Sequence, residues 1–299
     1  MNIEEVRKYG NLTFLAKKAV EGFITGLHKS PYKGFSVEFA EHKPYNFGES
    51  TKNIDWKLYS KTDKLYSKQY EEETNLRAYI VLDTSGSMYY PADTNGKITY
   101  SCFAGAALAH LLQKQRDAVG LYSFADKLYE LTAAKSSNTH MQQLFSTFEK
   151  IPKAEPNSTQ TDLIGALHLL SEKVHKRSLI VIFSDMFDHR ENEEALFNAL
   201  LHLKYNKHEV IVFHVLDHET ELNFEFENRP YQFIDAETKA KIKVNPKELK
   251  KTILSASKER KAAIKKRCGM AKIDYVDIDI NQSLDQVFLA YLLKRSKLY

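Results

Sequence analysis

Hydrophobic residues along the chain follow two periods, and each period predicts a different kind of element. Between residues 12 and 27 the apolar positions recur with helical spacing, which predicts an amphipathic helix. From residue 76 onward, short continuous apolar runs such as Leu179–Phe183 alternate with segments of helical spacing. Continuous apolar runs are typical of strands that are buried on both faces. The pattern therefore predicts an α/β protein with a doubly wound, mostly parallel sheet flanked by helices.

The alternation assigns individual elements. The predicted strands are Arg77–Asp83, Ala118–Phe124, Ser178–Ser184, Glu209–Leu216 and Ile273–Ile278. The predicted helices are Tyr100–Lys114, His140–Lys150, Asp162–Val174, Glu193–Lys204, Pro246–Arg267 and Leu284–Leu293. The alternation is interrupted between residues 218 and 245, where Tyr231–Ile234 and Ala240–Val244 predict an inserted β-hairpin.

The amino-terminal quarter has a different texture. From Ser30 to about Glu73 it is dense in Tyr, Phe, Lys and Glu, and Phe35–Phe39 and Leu65–Tyr70 alternate in the manner of half-exposed strands. We therefore expect residues 1–75 to form an N-terminal helical and extended β region that packs on the main domain. Residues 76–299 are expected to form that main domain.

Composition places few further constraints. The 299 residues are 43% hydrophobic and 27% charged, which is ordinary for a globular protein, and a net charge of +4 does not call for nucleic acid. Cys102 and Cys268 are interpreted as buried free thiols in a reducing compartment, with a disulfide between them as the alternative. The first residues lack the apolar core of a signal peptide, and no apolar run could cross a bilayer. We expect a cytoplasmic protein.

Oxygen-bearing side chains follow the first strand of the main domain. Asp83, Ser85 and Ser87 occupy alternate positions directly after Tyr79–Leu82. A carboxylate with neutral hydroxyl donors is a ligand set that a hard divalent cation accepts. Open α/β sheets place their ligands at the carboxyl ends of strands, so this position favours a metal site.

Two later positions reach the same predicted edge of the sheet. Thr161 lies at the start of a predicted helix, and Asp185 follows the strand Ser178–Ser184. Capping of helices and strand ends explains each residue separately. Capping does not explain why the set supplies two carboxylates and three hydroxyls. The predicted metal ligands are Asp83, Ser85, Ser87, Thr161 and Asp185.

This set resembles the metal-ion-dependent adhesion site (MIDAS) of von Willebrand factor type A domains in its residues, order and separations. The resemblance covers roughly residue 76 to the end, and it implies Mg²⁺ or Mn²⁺ at the switch point of a doubly wound sheet. It further implies that Ser85 and Ser87 bind the ion directly and that Thr161 does so in some states. Asp83 and Asp185 would then act directly or through water.

A second, narrower resemblance extends upstream, to the bacterial family known as domain of unknown function 58. The residues that carry it are Gly34, Ser36, Glu38, Phe39, Tyr45, Gly48, Asn53–Trp56, Ser87, Met88, Asp235, Glu237 and Thr238. The family usually has an arginine and a Gly-Asp pair before its Ile-Asp-Trp element, whereas this chain has His42 or Lys43 and Gly48-Glu49. Members are typically encoded beside MoxR-type AAA+ ATPases, which implies such an ATPase as a partner.

The donor set favours binding over catalysis. A divalent ion faced by hydroxyls and at most two carboxylates does not become negatively charged and keeps an open position, which an acidic side chain of another protein can fill. Metal-activated hydrolysis needs a positioned base, and His189 is the only candidate near the predicted ligands. The chain also lacks a phosphate-binding Gly-x-x-x-x-Gly-Lys-Ser/Thr loop, a dinucleotide Gly-x-Gly-x-x-Gly motif and a zinc-binding pattern.

The segment Lys247–Arg267 is strongly basic and has an apolar side. Its simplest interpretation is a solvated helix face packed on the sheet. Contact with an acidic partner or with a membrane surface is the alternative, and the absence of interleaved aromatic residues argues against nucleic acid.

The sequence therefore predicts a non-enzymatic, divalent-metal-dependent protein-binding adaptor. The family resemblance implies that it works with a MoxR-type AAA+ ATPase or its client in the assembly or maturation of protein complexes. Two alternatives remain at this stage. One is a metal-dependent phosphoester hydrolase that uses the same cluster. The other is a scaffold with a vestigial metal site that binds through its basic C-terminal helix.

Overall fold

The structure is a computed structural model that describes residues 12–27, 42–44, 56–68, 76–94, 96–155, 161–187, 193–234 and 240–295. The described strands are β1 (His42–Pro44), β2 (Tyr66–Lys68), β3 (Arg77–Asp83), β4 (Ala118–Phe124), β5 (Leu128–Lys135), β6 (Leu179–Ser184), β7 (Glu209–Leu216), β8 (Tyr231–Ile234), β9 (Lys241–Val244) and β10 (Asp274–Asp279). The described α-helices are α1 (Leu12–Leu27), α2 (Trp56–Thr62), α3 (Gly96–Lys114), α4 (Asn138–Lys150), α5 (Leu163–Lys173), α6 (Glu193–Tyr205), α7 (Pro246–Met270) and α8 (Asp285–Arg295).

The chain divides into two compact units, one of residues 1–25 and 76–299 and one of residues 26–75. Most of α1 therefore belongs with the sheet, although the sequence-based division at residue 75 grouped it with the extended region. Its buried face explains the difference, because Leu15, Ala16 and Val20 are almost completely inaccessible to solvent.

The larger unit is built on a six-stranded sheet of order β10-β7-β6-β3-β4-β5. All neighbouring pairs are parallel except β4 and β5, which are antiparallel. This arrangement confirms the predicted α/β class and its mostly parallel, doubly wound sheet. Strand β5 was not predicted, because this edge strand buries only part of its residues and lacks a continuous apolar run.

Helices cover both faces of the sheet. On one face, Tyr79 and Val81 of β3 belong to a core cluster that includes Leu167 of α5, Leu203 of α6 and Cys268 of α7. On the other face, α3 lies so close to β3 that a Cβ at Gly105 would be 3.3 Å from Cγ2 of Ile80 and 2.9 Å from Phe148. Adjacent residues of a strand point to opposite faces, so the strand is enclosed on both sides.

The two cysteines are free and buried, as the sequence indicated. Cys102 lies on α3, whose Gly105 approaches Ile80, whereas Cys268 belongs to the cluster that contains Val81. Because Ile80 and Val81 are consecutive residues of β3, the two thiols lie on opposite sides of the sheet. The alternative of a disulfide between them is therefore wrong.

Two smaller pairs of strands complete the description. In the larger unit β8 and β9 are antiparallel, with Tyr231 opposite Val244, where the sequence indicated an inserted hairpin. In the smaller unit β1 and β2 are antiparallel, with Lys43 opposite Ser67. The predicted strand Phe35–Phe39 lies outside the described residues. Within the described parts of the chain, none of the helices has the length and apolar character to cross a membrane.

Candidate functional site

Asp83 ends the central strand β3 and is fully buried. Its Oδ1 accepts a hydrogen bond from the Ser85 backbone N–H at 2.9 Å, which turns the chain back over the end of the strand. Its Oδ2 accepts a hydrogen bond of 2.6 Å from the Ser184 hydroxyl at the end of β6. The carboxylate therefore joins the carboxyl ends of two neighbouring strands, at the point where the strand order reverses.

The two serines of the motif lie against each other. Residues Gly86–Tyr89 form a single helical turn directly after Ser85, and this turn brings the Ser85 and Ser87 hydroxyl oxygens to 3.1 Å. Ser85 is buried and Ser87 is partly exposed. The alternate positions of Asp83, Ser85 and Ser87 in the sequence therefore place two hydroxyls close to a buried carboxylate.

Asp185 joins this group from β6. Its Oδ1 accepts a hydrogen bond from the Phe187 backbone N–H at 3.1 Å, the Ser87 side chain lowers its pKa, and its charge raises the pKa of Asp83. The structure therefore brings Asp83, Ser85, Ser87 and Asp185 into one connected cluster, although Asp185 is about a hundred residues away from the others in the sequence.

Thr161 is buried and lies two residues before the first residue of α5. The next residue, Asp162, donates its backbone N–H to the Ala125 carbonyl at 2.8 Å, just beyond the end of β4. Thr161 therefore lies at the carboxyl edge of the sheet, beside the strand that neighbours β3. Asp162 itself is a helix cap, since its Oδ1 accepts a hydrogen bond from the Gly165 N–H at 3.0 Å.

The sequence interpretation missed a buried lysine in this cluster. Helix α3 begins at Gly96, four residues before its predicted start, so Lys97 lies in its first turn. The lysine is completely buried, and its Nζ donates to Asp185 Oδ2 at 2.9 Å and to Glu221 Oε1 at 2.6 Å. The sequence held one indication of this role. A lysine in the first turn of a helix is unfavourable, because the amino-terminal end of a helix carries partial positive charge, so its presence there suggests a nearby anionic partner.

The electrostatics of the cluster follow from burial and from this lysine. Burial, with a contribution from the nearby Asp185 charge, raises the pKa of Asp83 to about 7. Burial also opposes ionisation of Asp185, but Lys97 and the Ser87 hydrogen bond outweigh it and hold the pKa of Asp185 below its usual value. Burial raises the pKa of Glu221, although Lys97 counteracts it. At neutral pH Asp185 and Lys97 are therefore both charged.

The donor set fits a hard divalent ion. Metal–oxygen distances of about 2.1 Å place neighbouring ligand oxygens of an octahedral Mg²⁺ about 3.0 Å apart, close to the 3.1 Å between the Ser85 and Ser87 hydroxyls. Asp83 and Asp185 add carboxylate oxygens. The parts of the chain that the structure describes hold no group of three or more His, Cys, Asp or Glu side chains arranged for a metal.

A general base is harder to identify in the described residues. His214 is near the cluster, but its Nε2 contacts the Asp185 backbone carbonyl at 2.9 Å, and burial lowers its pKa to about 4. The Glu221 carboxylate is bound to Lys97 and accepts the Asp217 backbone N–H at 2.8 Å. His189, the candidate from the sequence, lies outside the described residues.

A mostly parallel sheet with helices on both faces and an oxygen-rich cluster at its switch point defines a doubly wound α/β protein of the von Willebrand factor type A and Rossmann-like kind. The chain belongs to the family described as protein of unknown function DUF58, whose model matches residues 41–263. The second resemblance found in the sequence is thereby confirmed.

The chain is also similar to curated relatives. Uncharacterized proteins of Mycobacterium bovis and Mycobacterium tuberculosis are each 23% identical over 208 residues, which is 69% of this chain. The match spans 63% of the length of these relatives.

Among solved structures, an aerotolerance-related membrane protein from Bacteroides fragilis has a TM-score of 0.51 at 16% identity, over 74% of this chain and 99% of that one. The protein BatB from Bacteroides thetaiotaomicron has a TM-score of 0.46 at 16% identity, over 75% of this chain and 100% of that one. The likeness to the Bacteroides fragilis protein supports the fold alone.

Proposed function

We propose that this protein is a non-enzymatic adaptor that binds an acidic side chain of a protein partner through a divalent cation, Mg²⁺ or Mn²⁺. The residues that would hold the ion are Asp83, Ser85, Ser87, Thr161 and Asp185. The observation that carries the proposal is the convergence of two buried carboxylates and two adjacent hydroxyls at the switch point of the sheet.

Each residue of the cluster has a definable role in this function. Ser184 and the Ser85 N–H orient the two Asp83 oxygens, and the Phe187 N–H orients Asp185. Ser85 and Ser87 present neutral oxygens, which do not cancel the charge of a cation. A divalent ion bound there supplies positive charge and coordination positions that a carboxylate from another protein can occupy.

Hydrolysis by the same cluster is the competing function, and the described residues favour it less. Metal-assisted hydrolysis requires a base within hydrogen-bond reach of the attacking water. His214 is held against a backbone carbonyl, and Glu221 is paired with Lys97. We therefore propose binding without turnover.

The proposed partner is a MoxR-type AAA+ ATPase or its client, and the proposed setting is the cytoplasm. Support for the ATPase is the family resemblance alone, since members are typically encoded beside such ATPases. Capture of the ATPase from the native cell on the immobilised protein, with Mg²⁺ or with chelator, tests this part. Equal capture in both conditions would contradict a metal-dependent contact.

Ion binding itself is tested by calorimetric titration of the purified protein with Mn²⁺. The wild-type chain should bind one ion, and Asp83→Asn should lose that binding while keeping its far-UV circular dichroism spectrum. The matched control is Asp93→Ala, because Asp93 is an exposed carboxylate between β3 and α3. No heat of binding to the wild-type chain, or equal binding by the Asp83 variant, would refute the proposed site.

A further inference from the structure

The buried lysine beside the cluster has an electrostatic environment of its own. The Lys97 side chain has no exposed surface, and its ammonium contacts both the Asp185 and the Glu221 carboxylates. Burying an ammonium is strongly unfavourable unless it is paired and hydrogen-bonded. The three side chains therefore form an ion triad that connects the end of β6 with the segment after β7.

The position of Lys97 is set by its backbone. Its N–H donates to the Tyr90 carbonyl at 3.1 Å, and its own carbonyl accepts the Ser101 hydroxyl at 2.8 Å. These bonds hold the residue in the first turn of α3, where the helix dipole disfavours a positive charge. The local structure does not explain a lysine at this position, whereas the two carboxylates do.

Glu221 is the anchored end of the triad. Its Oε2 accepts the Asp217 backbone N–H at 2.8 Å, and its carbonyl accepts the Ser257 hydroxyl of α7 at 3.4 Å. Its side chain is 29% exposed, whereas that of Asp185 is 5% exposed. Glu221 is thus fixed by contacts outside the cluster. Asp185 is the carboxylate that the lysine and the proposed ion would share.

We infer that Lys97 is a built-in counter-cation for Asp185: it competes with the divalent ion for this carboxylate and supplies the positive charge that lets the loaded site accept an acidic group. This inference rests on the proposed function. The charge count supports it. A divalent ion and one ammonium balance three ionised carboxylates, those of Asp83, Asp185 and Glu221. Without the ammonium the same set is left with one negative charge, which would repel an incoming carboxylate.

A purely structural role for the triad makes a different prediction. Buried ion pairs are weak contributors to stability, and apolar groups of similar volume often replace them at little cost. If Lys97 only packed α3 against the sheet, its removal would lower stability without raising the affinity for an ion. If it is the counter-cation, removal raises ion affinity and weakens capture of a carboxylate. The expected rise in ion affinity and the expected fall in carboxylate binding have opposite signs, and both are measured on the same variant.

The first experiment is calorimetric titration with Mn²⁺ of the wild-type chain, Lys97→Met, Glu221→Gln and the double variant. Lys97→Met should bind Mn²⁺ about tenfold more tightly, because a charge-assisted contact no longer occupies Asp185. Glu221→Gln should bind it more weakly, because the ammonium then pairs with Asp185 alone. The matched control is Lys204→Met. The Lys204 Nζ lies 3.3 Å from Oε2 of Glu209, at the amino end of β7 and therefore at the end of the sheet opposite to the cluster.

The second experiment measures the binding of acetate, the simplest carboxylate, to the Mn²⁺-loaded chains by water proton relaxation. Lys97→Met should need a higher acetate concentration than the wild-type chain. If Lys97→Met does not fold, Lys97→Met/Glu221→Gln takes its place, because it removes one charge of each sign. In the titration it should bind Mn²⁺ more tightly than the wild-type chain, as Lys97→Met does. Its acetate binding should match that of the wild-type chain, because losing one charge of each sign keeps the loaded site balanced.

The outcomes separate this inference from the proposed function. If the wild-type chain binds Mn²⁺ and removal of Lys97 leaves the affinity unchanged or lower, the inference fails and the proposed site stands. If only the variants without Lys97 bind, the lysine competes with the ion as inferred, but the natural chain holds no ion, and both the proposed function and the acceptance of an acidic group by a loaded site are overturned. If no chain binds Mn²⁺, both ideas are overturned. Equal acetate binding by the loaded wild-type chain and by loaded Lys97→Met would also overturn the inference.

Discussion

The substitution Asp83→Asn should stabilise the metal-free protein at and above neutral pH. Asp83 is fully buried, and its pKa is raised from 3.8 to about 7, first by burial and then by the neighbouring Asp185 charge. Because the folded state holds this proton more tightly than the unfolded state, stability declines as the pH rises from about 4 to about 7. Asparagine does not titrate and escapes this decline.

The magnitude follows from the size of the shift. A shift of about three pH units corresponds to about 4 kcal/mol, at about 1.36 kcal/mol per unit. This is an upper value, since asparagine cannot reproduce both hydrogen bonds that Asp83 accepts from Ser85 and Ser184. The difference in unfolding free energy between the variant and the wild-type chain should therefore grow between pH 4 and pH 7 and level off above it.

The assay is urea unfolding followed by circular dichroism in the presence of chelator, at several pH values from 4 to 8, for both chains. Comparing the two chains removes the contribution of every other titrating group that they share. A constant difference across this range would refute the reasoning, since it would mean that Asp83 ionises as readily in the folded chain as in the unfolded one. The control is Asp93→Ala, whose exposed carboxylate should leave the profile unchanged.

Two further predictions test the packing of the sheet. Gly105→Ala should destabilise the protein by about 1–3 kcal/mol in urea unfolding, because its Cβ would lie 2.9 Å from the Phe148 ring, and Phe148→Leu in the same chain should recover part of this loss. The Cys102 and Cys268 thiols should resist a water-soluble disulfide reagent in the native protein and react once it is unfolded, since both are buried and burial raises the pKa of both. Rapid reaction of either thiol in the native protein would contradict its burial.

The alternative scaffold function has a test that does not involve the cluster. Helix α7 carries many exposed lysines and could contact an acidic surface without any ion. Such binding would weaken with rising salt concentration and would be unaffected by chelator. Binding that chelator abolishes, and that salt affects little, would favour the proposed cluster.

Local sequence patterns were sufficient to predict five of the six strands of the sheet and the oxygen-bearing residues of the cluster, but not the lysine that pairs with them. The continuous apolar run before Asp83 predicts a strand that is buried on both faces. Asp83, Ser85 and Ser87 then place oxygen-bearing side chains at the carboxyl end of this strand, where open α/β sheets bind ligands. The edge strand β5 escaped prediction because its partly exposed residues carry a weaker pattern. It forms as a strand by pairing with β4, and this tertiary contact leaves no pattern in the sequence of β5 itself.

Tertiary structure alone decided the electrostatics of the cluster. Lys97 is 88 residues from Asp185 and 124 residues from Glu221 in the sequence, and no local pattern connects them. A lysine is buried only where distant parts of the chain bring carboxylates to it, so its environment is a property of the assembled sheet. The sequence by itself determined which oxygens gather at this edge, and the fold determined the charge that they share.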